Sequence, residues 1–206
     1  MGRRTDLALS RESIARAALA IFDEDGAAAV TTRNIATRLG VRSPSLYNHV
    51  TSKDEILDAV TELIDREIDN SPLADPDLHR GLAGFARSYR LAFRRHPEAL
   101  TVIALRAIET DVALSGYDTT LGALQRAGWS PAAALEVMAA LEYIVLGSAL
   151  IPFTRGFVRT PGDYAGRYPA LARSLAEAEL DAVDDRGFEL ALGLFLDGLI
   201  DRGPAS

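Results

Sequence analysis

Apolar residues recur every three or four positions along most of this chain, in stretches separated by short breaks rich in Gly, Pro, Ser and Thr. No stretch keeps the two-residue alternation of a half-buried strand, and no internal repeat is present, so the pattern predicts an all-α protein. Ser10 reads as the cap of a first helix running to about Asp25 and stopped at Gly26, with Ile14, Ala17, Ala18, Ile21 and Phe22 inward. Thr31 reads as the cap of a second, with Ile35, Ala36 and Leu39 on one face and Gly40 as its left-handed stop. Ser43-Pro44 reads as an N-cap followed by proline at the first helical position, starting a short third helix with Leu46 and Val50 as its buried stripe. Ser52 to Glu55 form a capping box that starts a longer helix to about Asp69, with Ile56, Leu57, Val60, Leu63 and Ile64 inward.

The polar stretch 70–77, punctuated by Pro72 and Pro76, predicts a domain boundary. Beyond it the periodicity predicts helices over about 78–95, 98–108, 112–127 and 130–151, a Gly/Pro/Arg-rich loop over 156–168, a short helix near 170–178 and a last one over about 184–202. The expected organisation is thus a flexible arm (1–9), a three-helix helix-turn-helix domain (10–70) and a larger helical domain (71–206). Two of the later helices are apolar on more than one face, which predicts a second surface to cover them. The expectation is a four-helix interface between two copies of the chain, with Leu135 and Val145 on one helix and Phe188, Leu192, Phe195 and Leu199 on the other. A larger monomeric bundle is the alternative.

Two short helices joined by a tight turn at Gly40, the second lined with small hydrogen-bonding groups, predict a helix-turn-helix whose second helix enters the DNA major groove. The stretch from Thr31 to Lys53 resembles the DNA-binding domain of the tetracycline-repressor (TetR/AcrR) family of bacterial regulators. The family pattern is met at Thr31, Thr32, Arg33, Ile35, Ala36, Leu39, Gly40, Val41, Pro44, Ser45, Leu46, Tyr47, His49, Val50, Ser52 and Lys53. Further on, Arg95-His96-Pro97, Gly128-Trp129-Ser130 and Leu146-Gly147 resemble the tetracycline-repressor-type C-terminal domain more loosely. The resemblance implies a homodimer that binds operator DNA and a C-terminal domain that binds a small molecule, whose binding moves the connecting helix.

Charge qualifies this picture. The chain of 206 residues carries a net charge of −7, which by itself argues against nucleic acid. Yet residues 1–53 hold eight Lys/Arg against five Asp/Glu, while the rest hold fourteen against twenty-four, so basic charge gathers where DNA would lie. Cysteine is absent, which excludes disulfides, thiolate metal sites and a Cys nucleophile. The N-terminus lacks the apolar core of a signal peptide, and the apolar run Tyr143 to Phe153 is too short to span a bilayer, so a cytoplasmic protein with no membrane partner is expected.

Specific roles follow from side-chain chemistry. Arg33 is the first candidate for reading a guanine edge, as the family resemblance also implies, and Ser43, Ser45 and Asn48 are placed to bond base edges, with Pro44 against a thymine methyl. Thr31, Thr32, Tyr47, His49 and Lys53 are expected on phosphates, and Arg42 on either; Arg3 and Arg4 form a candidate arm. Plainer roles stay open: Thr31 as a cap only, Lys53 as a solvated charge, Tyr47 packed on the first helix, the arm as a frayed tail.

The candidate effector pocket is drawn from Phe85, Tyr89, Phe93, Trp129, Met138, Tyr143 and Phe153, with Arg106, Glu109 and Glu142 as polar anchors; core packing and surface ion pairs are the alternatives. Glu142 stands out as a carboxylate in an apolar run. In the tetracycline repressors, histidines and a glutamate on these helices bind the drug and its magnesium ion. Here the helix leaving the DNA-binding domain has no histidine and the segment after Leu146-Gly147 has no glutamate, so the expected effector is a different, fairly apolar molecule. No cofactor or metal is expected. A helix-bundle enzyme is the competing class, but paired Glu-x-x-His motifs, a phosphate loop and a zinc-ligand cluster are all missing. An interaction module without specific DNA binding is a third possibility.

Overall fold

Four helices make up the N-terminal third, and three of them start on a side chain that satisfies free backbone N–H groups. In the computed structural model, which describes residues 9–203, these are α1 (Arg11–Asp25), α2 (Thr32–Leu39), α3 (Ser43–Leu46) and α4 (Lys53–Asp65). Arg3 and Arg4 fall outside the described residues. Ser10 and Ser13 form a reciprocal capping box at α1, Thr31 accepts from the Asn34 N–H at α2, and Ser52 accepts from the Glu55 N–H at α4. Gly40 ends α2 at φ +71, where a side chain would be strained.

Two local expectations change. Ser43 is the first residue of α3 rather than its cap, Pro44 is second, and Arg42 holds the cap position without a side-chain bond. After one α turn the chain tightens through three-residue bonds, from the Tyr47 N–H to Pro44 and from the His49 N–H to Leu46. Glu55 reaches one residue further back than a capping box requires, accepting from the N–H (2.6 Å) and hydroxyl (2.8 Å) of Thr51.

The head closes over Ile14, Ala18, Ile21, Phe22, Ile35, Leu46, Val50, Ile56 and Val60, all buried. Beyond α4 a 3-10 turn (Ser71–Ala74) leads to α5 (Leu78–Arg94), α6 (Pro97–Ile103), α7 (Asp111–Arg126), α8 (Pro131–Leu150), α9 (Pro161–Tyr164), α10 (Pro169–Glu177) and α11 (Leu180–Arg202). No strand occurs among the described residues. α4 ends at Asp65 rather than about Asp69, and three later features also differ from the periodic reading. α6 stops at Ile103, the 156–168 loop contains a helical turn whose Thr160 and Asp163 cap reciprocally, and α11 starts four residues earlier than expected.

The body is built around α5. Its aromatics at four-residue spacing, Phe85, Tyr89 and Phe93, stack in series with ring centroids 5.7 and 5.2 Å apart. Arg90 on the same helix is buried, and its charge is satisfied by Asp185 (2.8 Å), the Ser148 hydroxyl (3.1 Å) and the Asp184 carbonyl (3.3 Å), while its guanidinium lies over the Phe188 ring. One side chain thereby ties α5 to α8 and α11. Gly81 and Gly84 admit the 3-10 turn against α5; a methyl at Gly81 would stand 2.8 Å from the Pro72 carbonyl oxygen.

Head and body meet along α1, α4 and the start of α6. His96, before α6, has Nδ1 3.0 Å from Asp23 of α1 and Nε2 3.2 Å from Glu67 just beyond α4. Arg95 reaches the same Glu67 at 3.0 Å.

α8 and α11 pack against each other and divide their apolar residues between two faces. Val145, Phe188, Leu192 and Leu199 are buried within the subunit and Phe195 is half-buried, whereas Leu135, Tyr143, Leu190, Leu194 and Ile200 stand exposed. Of the six residues expected at a subunit interface, only Leu135 is therefore fully on the free face. The reason is that a helix apolar all round shows no period by which to tell its two sides apart. Counted as a whole rather than from Tyr143, α8 is long and apolar enough by length and composition to cross a membrane, although its core face is buried against the rest of the body.

Candidate DNA-reading face and effector cavity

The reading face takes its shape from the packing of α2 on α1 and of α3 on α2. Inward Ile35, Ala36, Leu46 and Val50 oblige their neighbours to point away, and Thr31, Arg33, Arg42, Pro44, Tyr47, Asn48, His49 and Lys53 are all exposed, with Thr32, Ser43 and Ser45 half-buried. The sequence candidates are thus all at least partly open to solvent. Arg33, Arg42 and Lys53 form no ion pair among the described residues, whereas Arg38, on the flank, is taken by Glu24. Unpaired cations interspersed with hydroxyls and an amide suit a polyanion whose base edges offer acceptors. Thr31 is occupied as a cap, which leaves its hydroxyl proton free to donate. Tyr47 is half-exposed, so it is not packed away under α1.

The second site is a cavity of about 130 Å³ enclosed by α4, α5, α7, α8 and the non-helical stretch after α6. Phe85, Tyr89, Phe93, Met138, Arg106, Glu109 and Glu142 line it as expected. Trp129, Tyr143 and Phe153 do not. Trp129 is buried at the α7–α8 turn, Tyr143 points to solvent from the far side of α8, and Phe153 packs edge-on against Phe157. Arg106 is not a free anchor either: its guanidinium donates to Asp54 (2.9 Å) and Asp58 (2.7 Å), joining the cavity wall to the first turns of α4.

Five polar lining residues were missed in the sequence: Asp58, Thr61, Asp65, Asn70 and Thr110. The usable signal was the helical three- and four-residue spacing of Thr61, Asp65 and Ile68 from the inward Leu57. Tyr117, also missed, donates its hydroxyl to both oxygens of Glu142 (2.9 and 2.8 Å). Burial, then the adjacent carboxylate, pushes the Tyr117 hydroxyl up, and burial does the same to Tyr89. Burial likewise raises Asp65 from 3.8 to about 7, with Glu62 adding to the effect. Asp65 Oδ2 and Asn70 Oδ1 are buried and accept no hydrogen bond.

A polyanion-reading helix-turn-helix carried by α4, whose other end walls a polar-and-apolar cavity, defines a one-component DNA-binding sensor. Comparison with known proteins agrees. Residues 14–60 match the family described as "Bacterial regulatory proteins, tetR family", and residues 71–202 match the "Tetracyclin repressor-like, C-terminal domain". The class A tetracycline repressor protein from transposon 1721 of Escherichia coli is 32% identical over 94% of this chain and 92% of its own. An HTH-type transcriptional regulator of Saccharopolyspora erythraea is 30% identical over 86% of this chain and 74% of its own. Among solved structures, the Streptomyces coelicolor TetR family protein ActR in complex with actinorhodin aligns with a TM-score of 0.79 at 25% identity, covering 96% of this chain and 98% of that one.

The chain belongs to the TetR family. It is a ligand-responsive transcriptional regulator, not an enzyme.

Proposed function

We propose that two copies of this chain bind a near-palindromic operator in the cytoplasm, repress the adjacent gene, and are released when a small, largely apolar molecule enters the cavity. Two-fold symmetry would set the reading faces about one turn of DNA apart, roughly 34–36 Å, and so requires two related half-sites. The free apolar face of α8 and α11 supports the pairing, because Leu135, Tyr143, Leu190 and Leu194 stand uncovered side by side on packed helices.

The observation that carries the release step is the Arg106 clamp. A ligand filling the cavity displaces the stretch after α6, and Arg106 passes that movement to Asp54 and Asp58 at the head end of α4. Release requires the ligand to favour the conformer that spaces the heads wrongly for the operator. Tetracycline with magnesium is a poor fit for this effector. None of the three histidines lines the cavity, and no group of three or more His, Asp or Glu side chains among the described residues is arranged to hold a metal.

The test is fluorescence anisotropy on DNA from the protein's own promoter against scrambled DNA, over a salt series. Tight promoter binding by two subunits, with a steep salt slope, is the expected result. Equally weak binding to both DNAs, followed by an empty genome-wide selection of bound fragments, would remove the operator claim.

A further inference from the structure

We propose that the effector is an amine, bound as its ammonium ion on an apolar ring framework, and that Asp65 is the residue that holds the charge. This deepens the effector-cavity reading above and rests on it.

Donors and acceptors around the cavity do not balance. Arg106, the cavity's one cation, spends its guanidinium on Asp54 and Asp58. The Tyr117 hydroxyl is given to Glu142, and the Thr61 hydroxyl to the Leu57 carbonyl. Among buried side-chain atoms the two left unmet are Oδ1 of Asn70 and Oδ2 of Asp65, both acceptors once Asp65 is ionised. Buried polar atoms in native proteins are almost always paired, so a ligand completing this site must bring N–H donors. Charge gives the same answer. Asp58, Asp65, Glu109 and Glu142 line the space against a single arginine already engaged. The walls around them, Phe85, Tyr89, Phe93, Ile103, Met138 and Leu146, are apolar and rich in ring faces, which attract cations as well as hydrocarbon.

Asp65 is also the last residue of α4, where the helix dipole disfavours a carboxylate and favours a bound cation. An ammonium there would pull on the same helix whose first turns hold the Arg106 clamp and lead out of the reading head. Around Asp65 stand Glu62 on its own helix, already paired to Arg11 and Arg66, Tyr89 on α5, Tyr117 on α7 and Glu142 on α8. None of these can neutralise it. With its proton held to about pH 7, Asp65 must ionise to take the cation, so ammonium binding weakens as pH falls below 7.

Three naphthalene probes of one shape test this on the full-length protein by calorimetry: naphthylmethylamine (an ammonium), naphthylmethanol (neutral) and naphthoate (an anion). The ammonium is expected to bind roughly 10- to 100-fold tighter than the alcohol, the range of a hydrogen bond to a charged group. Asp65→Asn is expected to erase that preference. Lowering the pH from about 8 to about 6 is expected to weaken the ammonium alone. Equal or tighter binding of the alcohol or the carboxylate, or ammonium binding indifferent to Asp65→Asn, would overturn the proposal. Met138→Trp, which fills the cavity, separates the two claims. If the alcohol binds and Met138→Trp blocks it, but the ammonium has no advantage, only the amine proposal fails. If no probe binds the wild type, the effector-cavity reading fails with it.

Discussion

Replacing Asp65 with asparagine is expected to stabilise the protein, by an amount that grows with pH. The carboxyl of an unfolded chain ionises near 3.8, whereas burial, with the Glu62 carboxylate nearby, holds the folded one to about 7. The folded state therefore binds more protons across this interval. The native state loses stability as pH rises from about 4 through 7, and the loss levels off above that. At 1.36 kcal/mol per pH unit, the full loss is on the order of 4 kcal/mol, a large share of a domain's usual margin. Asparagine keeps the shape and has no charge to desolvate. Wild type and Asp65→Asn are to be unfolded in urea at fixed protein concentration from about pH 4 to pH 8.5. The expected difference is near zero at the acid end and about 2–4 kcal/mol in favour of the variant at the alkaline end. Glu55, Glu62 and Asp185 titrate in both proteins and cancel from the difference, since their shifts come from partners that Asp65→Asn leaves in place. A difference that is flat with pH, or that favours the wild type at pH 8, would show that Asp65 is paired or solvated and refute the reasoning.

Three further outcomes follow from the geometry. Lys53→Ala is expected to weaken binding to all DNA alike and lower the salt slope by about one, whereas Arg33→Ala is expected to cost about 1–3 kcal/mol and relax preference at one base pair; competition titrations over a salt series distinguish the two. Leu194→Glu, placing a charge at a 67% exposed position on the free face of α11, is expected to leave the subunit folded but shift it to a monomer by sedimentation, and to cost operator affinity with it. Gly81→Ala, whose methyl would stand 2.8 Å from the Pro72 carbonyl oxygen, is expected to destabilise the protein by about 1–3 kcal/mol in urea unfolding, because the chain between head and body must shift to admit it.

The reading head was legible in the sequence because its determinants are local. Ser10, Thr31 and Ser52 cap the residues directly after them, Gly40 meets the left-handed turn at its own position, and Ile35, Ala36, Leu46 and Val50 declare the buried side within two turns. Once that side is known, the exposure of Arg33, Arg42, Tyr47 and Lys53 follows from helix geometry alone. The error at a helix start amounted to a residue, as at Ser43, since neighbouring side chains compete for the same end groups, while α4 ends four residues earlier than its periodicity suggests.

The body was legible as helices, but its surfaces were decided by tertiary packing. α8 and α11 are apolar on both faces, so nothing in their spacing could say that Val145, Phe188 and Leu192 turn inward while Leu190 and Leu194 remain outside. Arg106 looked like a ligand anchor until folding brought it to Asp54 and Asp58, some fifty residues away in the chain. Asp65 carries no mark in the sequence that sets it apart from the chain's other acids. Only the approach of α5 and α7 to α4 removes its water without supplying a donor. That loss of solvent is a property of the assembled helices and not of any window of sequence.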